Sequence, residues 1–295
     1  MELRNISTFL TAAELLSFAK TADMLGYAQS TVTMQIKQLE EELGQLLFER
    51  SNRTVSLTSF GEAYLPLARR MMNTAQEMQN LNTDPAQLSG TLHIGVIESL
   101  FFTDFLGLIP RYQEKFPNVI LDFYTASSAE IADSLQKSKL DIGCCLAKAD
   151  LPDGLTQVFS RDADMVFVAN ANHPLAGGKQ VALATVAKES FVLTEAISVY
   201  HQALLSLFRQ NGLAIKANIL LKSTRGIVEL LKYSGGLSFL PHYAVCREIE
   251  QGILAVIPTT CPTLTVTVTV ATHKDKWISP QMQGFLDLLR EEVWI

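Results

Sequence analysis

From the N-terminus, apolar residues fall at helical spacing in three short runs separated by turn residues. Leu3, Ile6, Phe9, Leu10 and Ala13 make the first stripe. Ser17 can cap a second helix carrying Phe18, Ala19, Ala22 and Leu25, and Gly26 follows where a left-handed residue ends helices. Val32, Ile36, Leu39 and Leu43 share one face of a third helix, closed by Gly44. Leu46-Leu47-Phe48-Glu49-Arg50, polar Ser51-Asn52-Arg53 and Thr54-Val55-Ser56-Leu57 then predict a small hairpin. Thr58 can cap the next helix, whose apolar positions Tyr64, Ala68, Met71, Ala75, Met78 and Leu81 run close to a heptad stripe. From Ser59 to Thr83 it would be about 37 Å long, ending at Asn82-Thr83-Asp84-Pro85. Such a seam has to be buried against something: a second copy of the chain is the economical partner, and the chain's own domains are the other.

From Thr91 the texture changes to strands alternating with helices. Strands are expected at 92–96, 119–125 and 140–146, with helices at 105–116 and 128–138 between them. The pattern repeats with strands at 191–193, 214–221 and 237–240 and helices at 198–210 and 224–233. Leu264-Thr265-Val266-Thr267-Val268-Thr269-Val270 alternates cleanly, as a half-buried strand does. A last helix is expected from Pro280 to Glu292. This spacing implies βαβ units and a mostly parallel sheet. The last strand and helix can complete the first unit, giving two lobes with a cleft between them. The divisions are residues 1–58, 59–87 and 88–295, the last split into lobe I (88–161 and 264–295) and lobe II (162–263).

At 295 residues, with 48% hydrophobic and 18% charged residues, the chain holds apolar material for more than one core. No run is long and apolar enough for a membrane span, and Met1-Glu2-Leu3-Arg4-Asn5 is unlike a signal peptide, so a cytoplasmic protein with no membrane partner is expected. Cys144, Cys145, Cys246 and Cys261 show no metal-ligand spacing; they fit small buried hydrophobes, or a redox sensor if one were exposed with a lowered pKa. No cofactor or metal is called for. The net charge of −6 argues against a surface coated in basic patches.

Several ordered segments resemble the LysR-type transcriptional regulators. Ser17-Phe18-Ala19-Lys20-Thr21-Ala22-Asp23-Met24-Leu25 resembles the family's second helix, and the run from Gln29 to Gly44 its recognition helix. Leu47-Phe48-Glu49-Arg50 and Leu57-Thr58-Ser59-Phe60-Gly61 resemble the wing and the start of the linker helix. Leu92-His93-Ile94-Gly95, Phe116-Pro117, Leu140-Asp141-Ile142, His173-Pro174-Leu175-Ala176 and Gly235-Gly236-Leu237-Ser238-Phe239-Leu240-Pro241 agree more loosely. The resemblance implies an α/β multi-domain chain: an N-terminal winged helix-turn-helix, a long linker helix and a two-lobed, periplasmic-binding-protein-like effector domain. It implies a homo-oligomer, usually a dimer of dimers, that binds a small co-inducer, with RNA polymerase a further partner. Where the family has Ser before the glutamine and Pro after it, this chain has Ala28 and Ser30, so the helix start is weakly capped or capped by Ser30. Met34 stands where many relatives carry a polar group.

On this resemblance the ligand of the first domain is double-stranded DNA with two half-sites. Gln29, Ser30 and Thr33 are assigned to bases, since Gln pairs bidentately with adenine. Thr31, Gln35, Lys37, Arg50 and Arg53 are assigned to the backbone, and Met34 lies on the same helix without a donor. Residues 1–60 carry Arg4, Lys20, Lys37, Arg50 and Arg53 against Glu2, Glu14, Asp23, Glu40, Glu41, Glu42 and Glu49, so binding is expected to lean on dimer avidity rather than net charge. The effector, an anion by preference, is expected at strand ends and helix starts. The candidates are Ser99, Leu100, Phe101, Ser127, Ser128, Leu146, Ala147, Thr194, Ser198, Tyr200, His201 and Ser238, with Phe102, Glu98 and Arg225 nearby.

Two other classes compete. A solute-binding protein shares the shape of residues 91–295 but has no use for a winged helix. An enzyme is not expected: nucleophile elbow, P-loop, paired catalytic carboxylates and metal spacing are all lacking, and Gly235-Gly236 is too short for a dinucleotide site. Within the regulator class, a cysteine-based redox response remains open.

Overall fold

A computed structural model describes residues 1–51, 54–80, 84–147 and 151–291. They form two compact units, Met1–Asp84 and, for the most part, Pro85–Ile295.

In the first unit α1 (Leu3–Leu15), α2 (Phe18–Leu25) and α3 (Gln29–Leu43) follow the three apolar stripes. Ser17 Oγ accepts the Lys20 backbone N–H, and Gly26 and Gly44 end α2 and α3 in the left-handed region. Strands β1 (Phe48–Ser51) and β2 (Thr54–Leu57) pair antiparallel, Phe48 opposite Leu57. Thr58 Oγ1 accepts the Gly61 N–H at 2.9 Å at the head of α4 (Ser59–Asn80), a helix of 22 residues. Ile6, Phe9, Val32, Ile36, Leu39 and Leu47 are completely buried in one core. Around them Phe9 meets Tyr64 at 5.2 Å, and Phe18 meets Phe48 edge-on at 5.3 Å. The seam expected along α4 divides: Tyr64 and Ala68 join that core, whereas Met71 and Met78 are exposed, as is Leu67 outside the expected seam. Leu81 and Thr83 lie outside the described residues, as do Asn52 and Arg53 of the hairpin turn.

The second unit runs β3 (Gly90–Val96), α5 (Glu98–Phe101), α6 (Leu108–Lys115), β4 (Val119–Thr125), α7 (Ser128–Gln136), β5 (Ile142–Ala147) and β6 (Leu155–Asn170). It continues with α8 (Leu183–Val186), β7 (Phe191–Leu193), α9 (Val199–Gln210), β8 (Ala217–Leu220), α10 (Thr224–Leu231) and β9 (Leu237–Pro241). It closes with α11 (Cys246–Glu250), β10 (Leu254–Val256), β11 (Leu264–His273) and α12 (Pro280–Glu291). One sheet carries the order β4-β3-β5-β11-β6-β9-β7-β8, with β10 on β6.

The expected mostly parallel sheet needs correction. The flanks β4-β3-β5 and β9-β7-β8 are parallel, but the centre β5-β11-β6-β9 is antiparallel. The strand that makes the difference is β6, 16 residues that hydrophobic periodicity does not predict. Arg161, Asp162 and Asp164 punctuate its apolar residues, with Asp162 and Asp164 exposed on either side of buried Ala163. Asp162 accepts the Thr267 hydroxyl at 2.7 Å, and Arg161 donates to the Arg290 carbonyl at 2.5 Å. The first part of β6, from Leu155 to Met165, pairs with β11, and Met165 to Ala169 pairs with β9. Both lobes therefore share one strand, and the division expected at 161/162 falls inside it.

Candidate functional site

The exposed face of α3 carries the first set of candidates. Gln29, Ser30 and Lys37 are exposed, and Met34 between them is 62% exposed. Thr31 is half-buried. Thr33 is half-buried too, and its hydroxyl donates to the Gln29 carbonyl at 2.9 Å. Ala28 stands at the N-cap and no side chain caps the helix, so Ser30 does not take over that role. The first-turn amides of Gln29 and Ser30 have no acceptor within the helix. Lys37 pairs with Glu41 at 3.4 Å. Arg50 stands opposite Val55 in the hairpin, and Arg53 lies outside the described residues.

One assignment is corrected. Gln35, expected on the DNA backbone, is buried, and its Oε1 accepts the Thr8 hydroxyl at 2.7 Å, tying α3 to α1. The acidic load of this unit also reads differently in three dimensions. Glu40 is buried, and its Oε1 accepts the Leu47 and Phe48 amides at 2.8 and 3.2 Å. Glu42 pairs with the terminal amine of Met1 at 2.9 Å, and Glu14 with Arg69 at 2.9 Å. These carboxylates serve the fold and are already compensated, so a sum of charges overstates their opposition to DNA.

The second set of candidates surrounds a cavity of about 1060 Å³ in the α/β unit. The carboxyl ends of parallel strands converge on it, as ligand sites in open α/β sheets require. Ile97-Glu98-Ser99 enters from β3, Thr125 to Ser128 from β4, Cys145-Leu146 from β5, Thr194 to Tyr200 from β7, and Lys222-Ser223-Thr224 from β8. Ser99, Ser127, Ser128, Leu146, Thr194, Ser198 and Tyr200 therefore line one space, as expected.

Four expected positions do not serve there as assigned, and the side chain of a fifth, Ala147, lies outside what the structure describes. Leu100 is completely buried in the core, and Phe101 packs against Phe102, Phe105 and Phe123. His201 is buried with its Nδ1 2.8 Å from the Thr194 carbonyl, so it braces the wall from behind. Ser238 is inside β9, completely buried, because β9 is covered on both faces. Of Ala147 only the backbone is described, at the end of β5, opposite Thr267. Nor does Arg225 reach the cavity: its guanidinium pairs with Glu229 and, at 3.0 Å, with Glu248. Missed altogether were Thr125, Glu195, Lys222, Ser223 and Thr224. Ser223-Thr224 had the same strand-end, helix-start signal as Ser127-Ser128.

The polar groups of the cavity are largely engaged with one another. Ser99 Oγ lies 2.5 Å from the Tyr200 hydroxyl and 3.2 Å from that of Tyr243, which are 3.1 Å apart. Burial pushes both phenols upward, so they stay protonated donors. Glu98 accepts the Ser223 hydroxyl and the Thr224 amide, each at 2.6 Å, bridging α5 to the head of α10. Glu130 folds back on the Ser127 hydroxyl and amide, which hold its carboxyl below the usual range. Glu195 faces Lys222 at 3.8 Å. Ser128 Oγ accepts the Leu146 amide at 3.1 Å. The first turns of α7 and α9 add backbone N–H groups without intrahelical acceptors. Cys144 and Cys145 are buried, and burial pushes the Cys144 thiol far up and the Cys145 thiol up to about 11. Such thiols are poor nucleophiles, which removes the physical basis for redox sensing at this pair. Among the described residues no cluster of His, Cys, Asp or Glu could hold a metal, and no helix is long and apolar enough to cross a membrane.

A helix-turn-helix unit joined to a two-lobed α/β unit with a ligand-sized cavity defines a ligand-responsive DNA-binding regulator. Comparison with known proteins gives the family. Residues 3–62 match the bacterial regulatory helix-turn-helix of the lysR family, and residues 85–294 match the LysR substrate binding domain. The HTH-type transcriptional regulator YwqM of Bacillus subtilis (strain 168) is 32% identical over 294 residues, 99% of each chain. A full-length OxyR variant from Pseudomonas aeruginosa superposes with a TM-score of 0.77 at 22% identity, covering 100% of this chain and 96% of that one. Full-length CbnR in complex with target DNA gives 0.67 at 20% identity, over 98% and 99%. The chain belongs to the LysR family and is a DNA-binding transcriptional regulator with an effector-binding domain.

Proposed function

We propose that this regulator reads a two-half-site operator as a dimer or dimer of dimers and changes its grip when a small anion enters the α/β cavity. Gln29 and Ser30 contact bases, while Thr31, Lys37, Arg50 and Arg53 hold phosphates and sugars. Thr33, bonded to the Gln29 carbonyl, positions that residue. The exposed row Leu67, Met71 and Met78 on α4 is covered by the second copy. In this reading residues 1–58 bind DNA, 59–87 join the copies, and 88–295 sense the effector, with RNA polymerase as the downstream partner in the cytoplasm.

The observation that carries the effector reading is the convergence of strand ends and of the α7 and α9 N-termini on one cavity of about 1060 Å³. An anion is favoured although Glu98, Glu130 and Glu195 line the space. Each of these carboxylates already has its own partner, whereas the amides of Ala129 and Val199, which also line it, offer donors. Binding between the lobes would shift their relative pose and so the spacing of the DNA heads.

The test is a mobility-shift titration of the full-length protein on two-half-site duplexes selected from a random library, repeated across a panel of small carboxylates and neutral analogues. Cooperative binding that one carboxylate alters, and Ser128→Ala blunts, supports the reading. Equal binding to a single half-site by the wild type and by Leu67→Glu would refute the dimer, and a response to neutral ligands only would refute the anion.

A further inference from the structure

We infer that Met34 is a specificity-determining residue that selects thymine through its C5 methyl group at one position of each half-site. The inference rests on α3 being the helix that enters the major groove. Of the apolar residues on α3, Val32, Ile36 and Leu39 are completely buried, while Met34 is 62% exposed. Exposure alone says little, since Met24 and Leu46 are equally exposed elsewhere in the unit. Position is the stronger observation. Ser30, Met34, Lys37 and Glu41 recur at helical spacing, all exposed, and Met34 sits at the middle of that row, one turn beyond Ser30. It is therefore on the face that meets DNA when Gln29 and Ser30 do.

The chemistry of the side chain narrows what it can read. A thioether donates no hydrogen bond, so it cannot use the purine N7 and O6 acceptors, and it accepts too weakly to discriminate by the adenine N6 or cytosine N4 amino groups. The one apolar feature a base pair presents in the major groove is the thymine methyl. A flexible, polarizable methionine can settle on that methyl without demanding one geometry. Cytosine lacks the methyl, and 5-methylcytosine restores it, so the discrimination is between a methyl group and a hydrogen rather than between hydrogen-bond patterns.

The experiment uses the full-length protein and a duplex it selects from a random library. Each thymine is replaced in turn by deoxyuridine, which pairs identically and lacks only the methyl. One thymine per half-site is expected to lose about fourfold in affinity when replaced, the worth of one buried methyl at ~0.8 kcal/mol, and about 15-fold when both half-sites change. With Met34→Ala, an exposed change that spares the core, the same replacement is expected to have no effect. In the wild type, 5-methylcytosine at that position should recover part of the loss given by cytosine. A deoxyuridine penalty that persists in Met34→Ala, or no sensitive thymine at all, overturns the inference while leaving α3 as the reading helix. Failure to select any duplex, or selection unaffected by Gln29→Ala, overturns both.

Discussion

Glu40 gives the sharpest test of how the DNA-binding unit is held. Its carboxylate, buried on α3, accepts the amides of Leu47 and Phe48, residues that are 0% and 2% exposed where the chain enters the hairpin. Glu40→Ala leaves those two amides without this acceptor. Each unpaired buried amide costs about 1–3 kcal/mol, and relief from burying the carboxylate returns part of the sum, leaving a net loss of about 2–4 kcal/mol. Glu40→Gln keeps an acceptor oxygen and exchanges charge-assisted for neutral bonds, at about 1 kcal/mol. Tryptophan fluorescence is blind to this unit, because Trp277 and Trp294 both lie beyond residue 85. Hydrogen exchange followed by mass spectrometry is the appropriate assay. Protection in peptides of α3 and the hairpin should fall roughly 30- to 900-fold in Glu40→Ala and about fivefold in Glu40→Gln. DNA affinity should fall in the same order. A simple charge count makes the opposite prediction, that removing an acid strengthens binding to DNA. Wild-type protection in Glu40→Ala, or tighter DNA binding by both variants, would refute the capping role.

The remaining predictions concern the α/β unit. A Cβ on Gly284 would lie 2.3 and 2.5 Å from the Phe116 ring, so Gly284→Ala should destabilise by about 1–3 kcal/mol, read as a lowered denaturation midpoint in tryptophan fluorescence. Glu98→Gln should weaken the bridge to α10 by about 1 kcal/mol, seen as faster amide exchange at Thr224; unchanged exchange would mean that the bridge holds nothing in solution. With its thiol pushed up to about 11, Cys145 at pH 8 is roughly one part in a thousand thiolate, so iodoacetamide should spare it while peptides containing half-buried Cys261 are labelled. Equal labelling would reopen a redox role.

The sequence pattern reveals the first unit almost completely, because its signals are local. Stripes at helical spacing, an N-cap at Ser17 and glycines at 26 and 44 each act within a turn or two, and the helices form between them. What escapes is the assignment of polar residues to inside or outside. Gln35 and Glu40 look like surface residues of a helix, and only their distant partners, Thr8 and the hairpin amides, make burial affordable. In the second unit the parallel flanks follow from alternation of strand and helix, whereas β6 does not. Its exposed Asp162 and Asp164 alternate with buried Ala163 and Met165, a strand pattern that emerges only when β11, about a hundred residues further on, pairs with it and Thr267 and the Arg290 carbonyl meet Asp162 and Arg161.

The cavity was legible by the same division. Residues at strand ends and helix starts were found because the rule is local, and seven of them line the space. Leu100, Phe101, His201 and Ser238 share those neighbourhoods but point elsewhere, and no local rule fixes the direction of a side chain. The absence of a cap at Ala28 illustrates the converse. A Ser, Thr, Asp or Asn there would stabilise α3 by about 1 kcal/mol. Its absence leaves the Gln29 and Ser30 amides open at the start of α3, the helix proposed to meet DNA, where the dipole favours a phosphate. The residue that weakens the free helix therefore also leaves unfilled the donors a backbone phosphate can take, and in the proposed complex part of the stability withheld from the free helix would be recovered on DNA. On the proposed reading, that coupling would leave each recognition helix weak alone and make the affinity depend on two copies acting together.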